Sequence, residues 1–143
     1  MKNAKPFIAT SLLLLVLFGL ISSHCTPETG GLVPSTEEVL VRNVWSVDYY
    51  YHDQDMTSNF SSSRLLFSTT GVVGYQKNNE TIAGTWSKTM DASNIELITL
   101  HFNTSDAAIT SLNESWRLTS RSANSILFEE TSGANILFRI KTQ

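Results

Sequence analysis

His52, Asp53 and Asp55 fall within a few positions of one another, a grouping of imidazole and carboxylates that could surround a hard cation such as calcium. The spaced oxygens and closing Glu of a calcium loop do not follow them. Asp55-x-Thr57 is instead the spacing at which a short polar side chain bonds its own backbone in a turn. His101 alternates with Phe102, which turns it to solvent. Glu129 and Glu130 are adjacent, so a strand sends them to opposite faces, whereas paired acid–base chemistry needs them convergent. The chain has no Gly-x-Ser-x-Gly elbow, no His-Glu-x-x-His pair and no Gly-rich phosphate loop. The expectation is therefore no enzyme activity, no metal and no cofactor, which leaves one thiol and a set of aromatic rings as the chemistry to explain.

The thiol is Cys25, the sole cysteine. Lys2 and Lys5 precede an apolar run from Phe7 to Ile21, which closes at Ser22-Ser23-His24. That is a positive region followed by an apolar core too short for the roughly 20 residues of a membrane-spanning helix, and it reads as a signal peptide over residues 1–24. Ser22 and Ser23 ahead of Cys25 resemble a bacterial lipobox, with His24 where Gly, Ala or Ser is usual. The resemblance implies cleavage before Cys25 and acylation of its sulfur. A lone thiol in an oxidising compartment invites intermolecular disulfides, and acylation removes that hazard. Several acyl chains on one residue hold a protein to a bilayer without crossing it. Thr26, rather than Asp, follows the cysteine, which by analogy with lipoprotein sorting implies the outer membrane.

Residues 25–42 contain Pro27, Gly30, Gly31 and Pro34 with Glu28, Glu37 and Glu38, and read as a flexible tether. Loss of Lys2 and Lys5 with the leader makes the net charge of −3 more negative still. No basic stretch with interleaved aromatics is present, so nucleic acid is excluded as a partner.

Residues 43–143 are one domain in which apolar residues recur with period two in short runs, the pattern of strands. Trp45, Val47, Tyr49 and Tyr51 share the inner face of the first run. Leu65 and Phe67 follow, then Val72–Lys77, then Ile82, Gly84 and Trp86, then Ile98, Leu100 and Phe102. After a connection in which Ser105 or Asp106 could cap a helical turn, Trp116 and Leu118, Ile126 and Phe128, and Ile136, Phe138 and Ile140 complete the series. About eight antiparallel strands with short turns bury one face best by closing, which removes unpaired edges. The expected fold is all-β, an eight-stranded antiparallel up-and-down barrel, chosen over a flattened sandwich.

The series Trp45-x-x-x-Tyr49, Asp55-x-Thr57-x-x-Phe60, Leu65-x-Phe67 before Gly71, Gly84-Thr85-Trp86, Leu100-x-Phe102 and Trp116-x-Leu118 resembles the lipocalin-like lipoproteins of the Bacteroidota. The resemblance implies a small lipocalin-like barrel on a lipid anchor. Arg139 is the one residue available to pack over Trp45 as in true lipocalins, but strand parity points it away from the face of Phe138. The aromatic set Trp45, Tyr49, Tyr51, Phe67, Trp86, Phe102 and Trp116 then has two readings, a filled core or the lining of a site for a small hydrophobic ligand. The functional expectation is a non-enzymatic envelope lipoprotein, membrane-bound through Cys25, that captures such a ligand. The alternative is a structural or protein-interaction subunit of an outer-membrane complex.

Overall fold

The structure, a computed structural model, describes residues 33–143. The leader and Cys25 lie outside the described residues. The tether reading is corrected over its last part, where Thr36–Arg42 is a helix, α1. Its cause is local: the Ser35 side chain accepts from the Glu38 N–H while the Glu38 carboxylate accepts from the Ser35 N–H at 2.8 Å, a capping box that satisfies two free amides. Thr36, Val39 and Leu40 fall on one helical face and are buried.

The strands are β1 (Val44–His52), β2 (Gln54–Asp55), β3 (Arg64–Phe67), β4 (Val72–Lys77), β5 (Glu80–Met90), β6 (Glu96–Phe102), β7 (Ser115–Arg121), β8 (Ser125–Glu130) and β9 (Ile136–Thr142). All pairings are antiparallel. β1 and β3 to β9 follow one another around the sheet, and β1 pairs with β9 to close it, which is the expected eight-stranded up-and-down barrel. The ninth strand, β2, is a short return that pairs only with the end of β1.

Two seams are completed by other means. β1 meets β3 only at Val44 with Leu66 and Trp45 with Leu65. Beyond that, the free edge of β1 is met by the 3-10 turn Thr57–Phe60 and the residue before it: Met56 N–H donates to the Tyr50 carbonyl and Tyr50 N–H to Thr57 Oγ1, each at 2.9 Å. Between β6 and β7 the Asn113 side chain acts as a strand residue. Its Oδ1 accepts from Phe102 N–H at 2.6 Å and its Nδ2 donates to the Phe102 carbonyl at 2.9 Å.

The two ends are covered differently. At the end where β1 begins, α1 lies across the opening: Trp45 Nε1 donates to the Leu40 carbonyl at 2.9 Å, and Thr36 is held by Glu96 and by Arg121, the latter at 2.9 Å. At the other end stand Phe60 from the 3-10 turn and Ile109 and Leu112 from a single helical turn, α2 (Ala107–Thr110), and the residues after it, all three side chains buried. Asp106 caps α2 by accepting from Ala108 and Ile109 N–H, as the sequence suggests.

Candidate functional site

The seven aromatic residues expected to share the interior do not all reach it. Trp45, Phe67, Trp86, Phe102 and Trp116 are buried inside. Tyr49 and Tyr51 are not, and Tyr50 takes the inner place instead. The cause is a β-bulge: Val47 faces Ile140 and Tyr49 faces Arg139, so Asp48 is an extra residue with no partner of its own. One inserted residue inverts the alternation beyond it. Nothing in the composition of Trp-Ser-Val-Asp-Tyr-Tyr-Tyr marks where the insertion falls, although the run of three tyrosines makes the phase ambiguous.

Inside, the rings pack on one another. Tyr50 lies 5.0 Å from Phe60 between centroids and edge-on to Trp116 and Phe138, Trp116 lies 5.1 Å from Phe138, and Phe67 meets Trp86 at 90°. Each indole N–H has a backbone acceptor: Leu40 for Trp45, Ser68 for Trp86 and Leu112 for Trp116. The Tyr50 hydroxyl donates to the Ser111 carbonyl at 3.0 Å, and burial raises the phenol above its ordinary range. These bonds satisfy the polar atoms of Tyr50 and of the three indoles from within the barrel.

The clefts open at the surface. One of about 420 Å³ runs beside the β4–β5 turn and is lined by Arg64, Gln76, Lys77, Asn78, Asn79 and Glu80 among others, a polar wall. A second, of about 220 Å³, lies at the mouth away from α1, where Tyr75, Ile82 and Ile109 meet Lys77, Glu80 and Asp106. A third, of about 370 Å³, is a shallow depression at His52, Asp53, Gln54 and Met56. None of the seven expected ligand residues lines any of these three clefts.

The outward tyrosines build a surface of their own. Their rings stack 6.4 Å apart at 14°, and the Arg139 guanidinium stands 5.7 Å from the Tyr49 centroid. Arg139 also pairs with the Asp48 carboxylate at 2.7 Å, so the bulge residue fixes the arginine that covers the ring. Cross-strand rows place Leu127, Arg139 and Tyr49 side by side, and Glu129, Leu137 and Tyr51 beside them. All six are half-buried. Arg139 thus faces outward, as parity requires, and α1 takes the place over Trp45.

The remaining chemistry-bearing residues stand apart. Asp55 accepts from Thr57 N–H at 2.9 Å, and its bonds to Thr57 lower its pKa. His52 lies 4.0 Å from the exposed Asp53 carboxylate. His101 is exposed. Glu129 is half-buried on the outer face, while Glu130 is buried and accepts from Ser132 N–H at 2.8 Å.

No family model matches the chain, and no curated protein matches it. Among solved structures, the crystal structure of a DUF4847 family protein from Bacteroides vulgatus ATCC 8482 is similar to it, with a TM-score of 0.57 and 15% identity. The match covers 76% of this chain and 98% of that one, and the likeness is one of fold.

Proposed function

We propose that this chain is an envelope lipoprotein, acylated at Cys25 and held on the outer membrane, whose barrel is a non-enzymatic module that engages a protein partner through its outer wall. The observation that carries the reading is the division of the aromatic residues. Those inside pack on one another, with Tyr50 and the three indoles bonded to the barrel's own backbone, while Tyr49 and Tyr51 are presented outward with Arg139. Tyrosine and arginine are the residue types that concentrate binding energy at protein interfaces, because each combines a broad apolar face with a polar tip. The leader, the lone Cys25 and the resemblance to lipocalin-like lipoproteins support the envelope location.

A small hydrophobic ligand is the weaker reading. The mouth cleft of about 220 Å³ falls below the roughly 300–1,000 Å³ usual for small-molecule sites. The larger cleft offers charged and amide groups rather than apolar contact. The test is affinity capture from detergent-solubilised envelope of the source cells, with the native chain and with Tyr51→Ala and Arg139→Ala. The native chain should recover a defined protein that the variants recover about tenfold less well or worse. Recovery of the chain alone, or equal recovery by all three, overturns the proposal.

A further inference from the structure

The large apolar side chains that the barrel leaves exposed are not scattered. Among the described residues from Pro34 onward they are Val44, Val72, Met90 and Ile95, at 39%, 46%, 53% and 37% exposure. Val44 opens β1, Val72 opens β4, Met90 ends β5, and Ile95 stands just before β6. Antiparallel alternation brings all four positions to one end of the barrel, the end that α1 covers. The opposite end is built of polar turns, with Asp53, Asp55, Glu80, Asp106 and Glu114 outnumbering Arg64 and Lys77 there.

The most prominent feature of the α1 end is the tip of the β5–β6 hairpin. Val72 pairs with Thr85, so the last residues of β5 run on past β4 toward Met90. Asp91 N–H donates to the Ile95 carbonyl at 2.9 Å and closes the turn between Met90 and Ile95. Asp91 is the one charged residue in that turn, and its carboxylate is occupied by the N–H groups of Ser93 and Ile95 and by Arg117 at 3.4 Å. The tip therefore presents Met90, Ala92 and Ile95 with its charge internally compensated. Arg42, Arg121 and Lys141 lie at the same end and offset the acidic Glu37 and Glu38.

We propose that this end of the barrel rests on the bilayer, with the β5–β6 tip seated among the lipid headgroups. The inference rests on the lipid-anchor reading of Cys25. The chain enters the barrel unit beside α1, and eight residues separate Cys25 from Pro34. Even fully extended they reach about 30 Å at most, so the α1 end is the part of the domain that an acylated Cys25 holds nearest the membrane. Tethering makes a weak contact sufficient. A short linker holds the tip at an effective concentration on the order of millimolar, so an apolar tip that would not bind vesicles alone engages them when anchored. The acidic far end is kept away from anionic headgroups by the same arrangement, which leaves the Tyr49–Tyr51 wall facing sideways along the membrane.

Acylation occupies Cys25, so a cysteine introduced elsewhere is the only free thiol for labelling. The acylated, processed protein, beginning at Cys25, is placed in vesicles of phosphatidylethanolamine and phosphatidylglycerol with an environment-sensitive fluorophore on Met90→Cys or, at the far end, on Thr131→Cys. The label at position 90 should shift to shorter wavelength and be quenched by nitroxide-bearing lipids. The label at position 131 should do neither, and adding Ile95→Asp should return the label at 90 to its solvent spectrum. An acylated chain whose two labels behave alike overturns the inference and leaves the anchor intact. A mass spectrum showing Cys25 unmodified overturns the anchor and the inference together.

Discussion

At the scale of single residues, the wall leaves no room for a side chain at Gly84, which lies against Phe102. A Cβ at position 84 would lie 2.6 Å from the Phe102 ring and 2.5 Å from the His101 carbonyl, and the carbonyl cannot move without breaking the ladder. Gly84→Ala should therefore cost about 1–3 kcal/mol by overpacking, measured by urea unfolding; an unchanged midpoint would contradict the packing described. Asp91 supplies a pH dependence. Backbone N–H bonds from Ile95 and Ser93, with Arg117 beside it, hold its pKa below the ordinary carboxylate value. A group depressed in the folded state stabilises fully above its unfolded pKa, near 4, and loses that contribution as pH falls through the folded value. Asp91→Asn should thus be less stable at neutral pH, with the difference from the native chain closing in acid. A constant difference across unfolding curves from about pH 7 to pH 2 would contradict this. Residue identity predicted these local turns well: Asp55 with Thr57 and the exposure of His101 follow from spacing alone. Tyr49 and Tyr51 did not follow, because a single extra backbone residue at Asp48 inverts the phase without altering composition.

Elements show the same division between what is periodic and what is local. The strand runs of residues 64–102 are legible because each alternates without interruption, and Leu65, Phe67, Val73, Tyr75, Ile98, Leu100 and Phe102 are all buried. α1 is the counterexample. Pro34, Glu37 and Glu38 suggest a tether by composition, yet Ser35-x-x-Glu38 followed by Val39-Leu40 is a helix start whose apolar face needs a surface. That surface is the barrel end, which only the folded chain provides. Ser35→Ala should cost about 1 kcal/mol and speed hydrogen exchange of the Trp45 indole N–H, whose acceptor is the α1 carbonyl of Leu40. Unchanged exchange would mean that α1 is not what seals this end. The β6–β7 seam depends likewise on one side chain. Asn113→Ala would leave both the N–H and the carbonyl of Phe102 without their partner, at about 1–3 kcal/mol for each group left dry. Unfolding of this variant by urea should show a loss larger than that of Ser35→Ala, and a loss smaller than that would indicate that the seam is held elsewhere.

For the whole molecule, closure of the sheet answers one problem and creates another. Eight strands remove the edges, and the interior they enclose must then be filled or occupied. Here Trp45, Tyr50, Phe60, Trp116, Phe128 and Phe138 are essentially fully buried, with α1 across one end and Phe60, Ile109 and Leu112 at the other. The aromatic content of the sequence is compatible with a lined cavity or a packed core, and the choice lies in α1 and in residues 53–63, which periodicity does not reveal. Under the proposed function, recognition lies outside this packed interior, at the Tyr49–Tyr51 wall, and the further proposal sets the apolar α1 end against the bilayer. The measurement that bears on this most directly is native mass spectrometry of the protein purified from its own envelope. The account predicts the mass of the acylated chain with no small molecule retained. A stoichiometric hydrophobic compound that survives transfer and is lost on Trp116→Ala would contradict it.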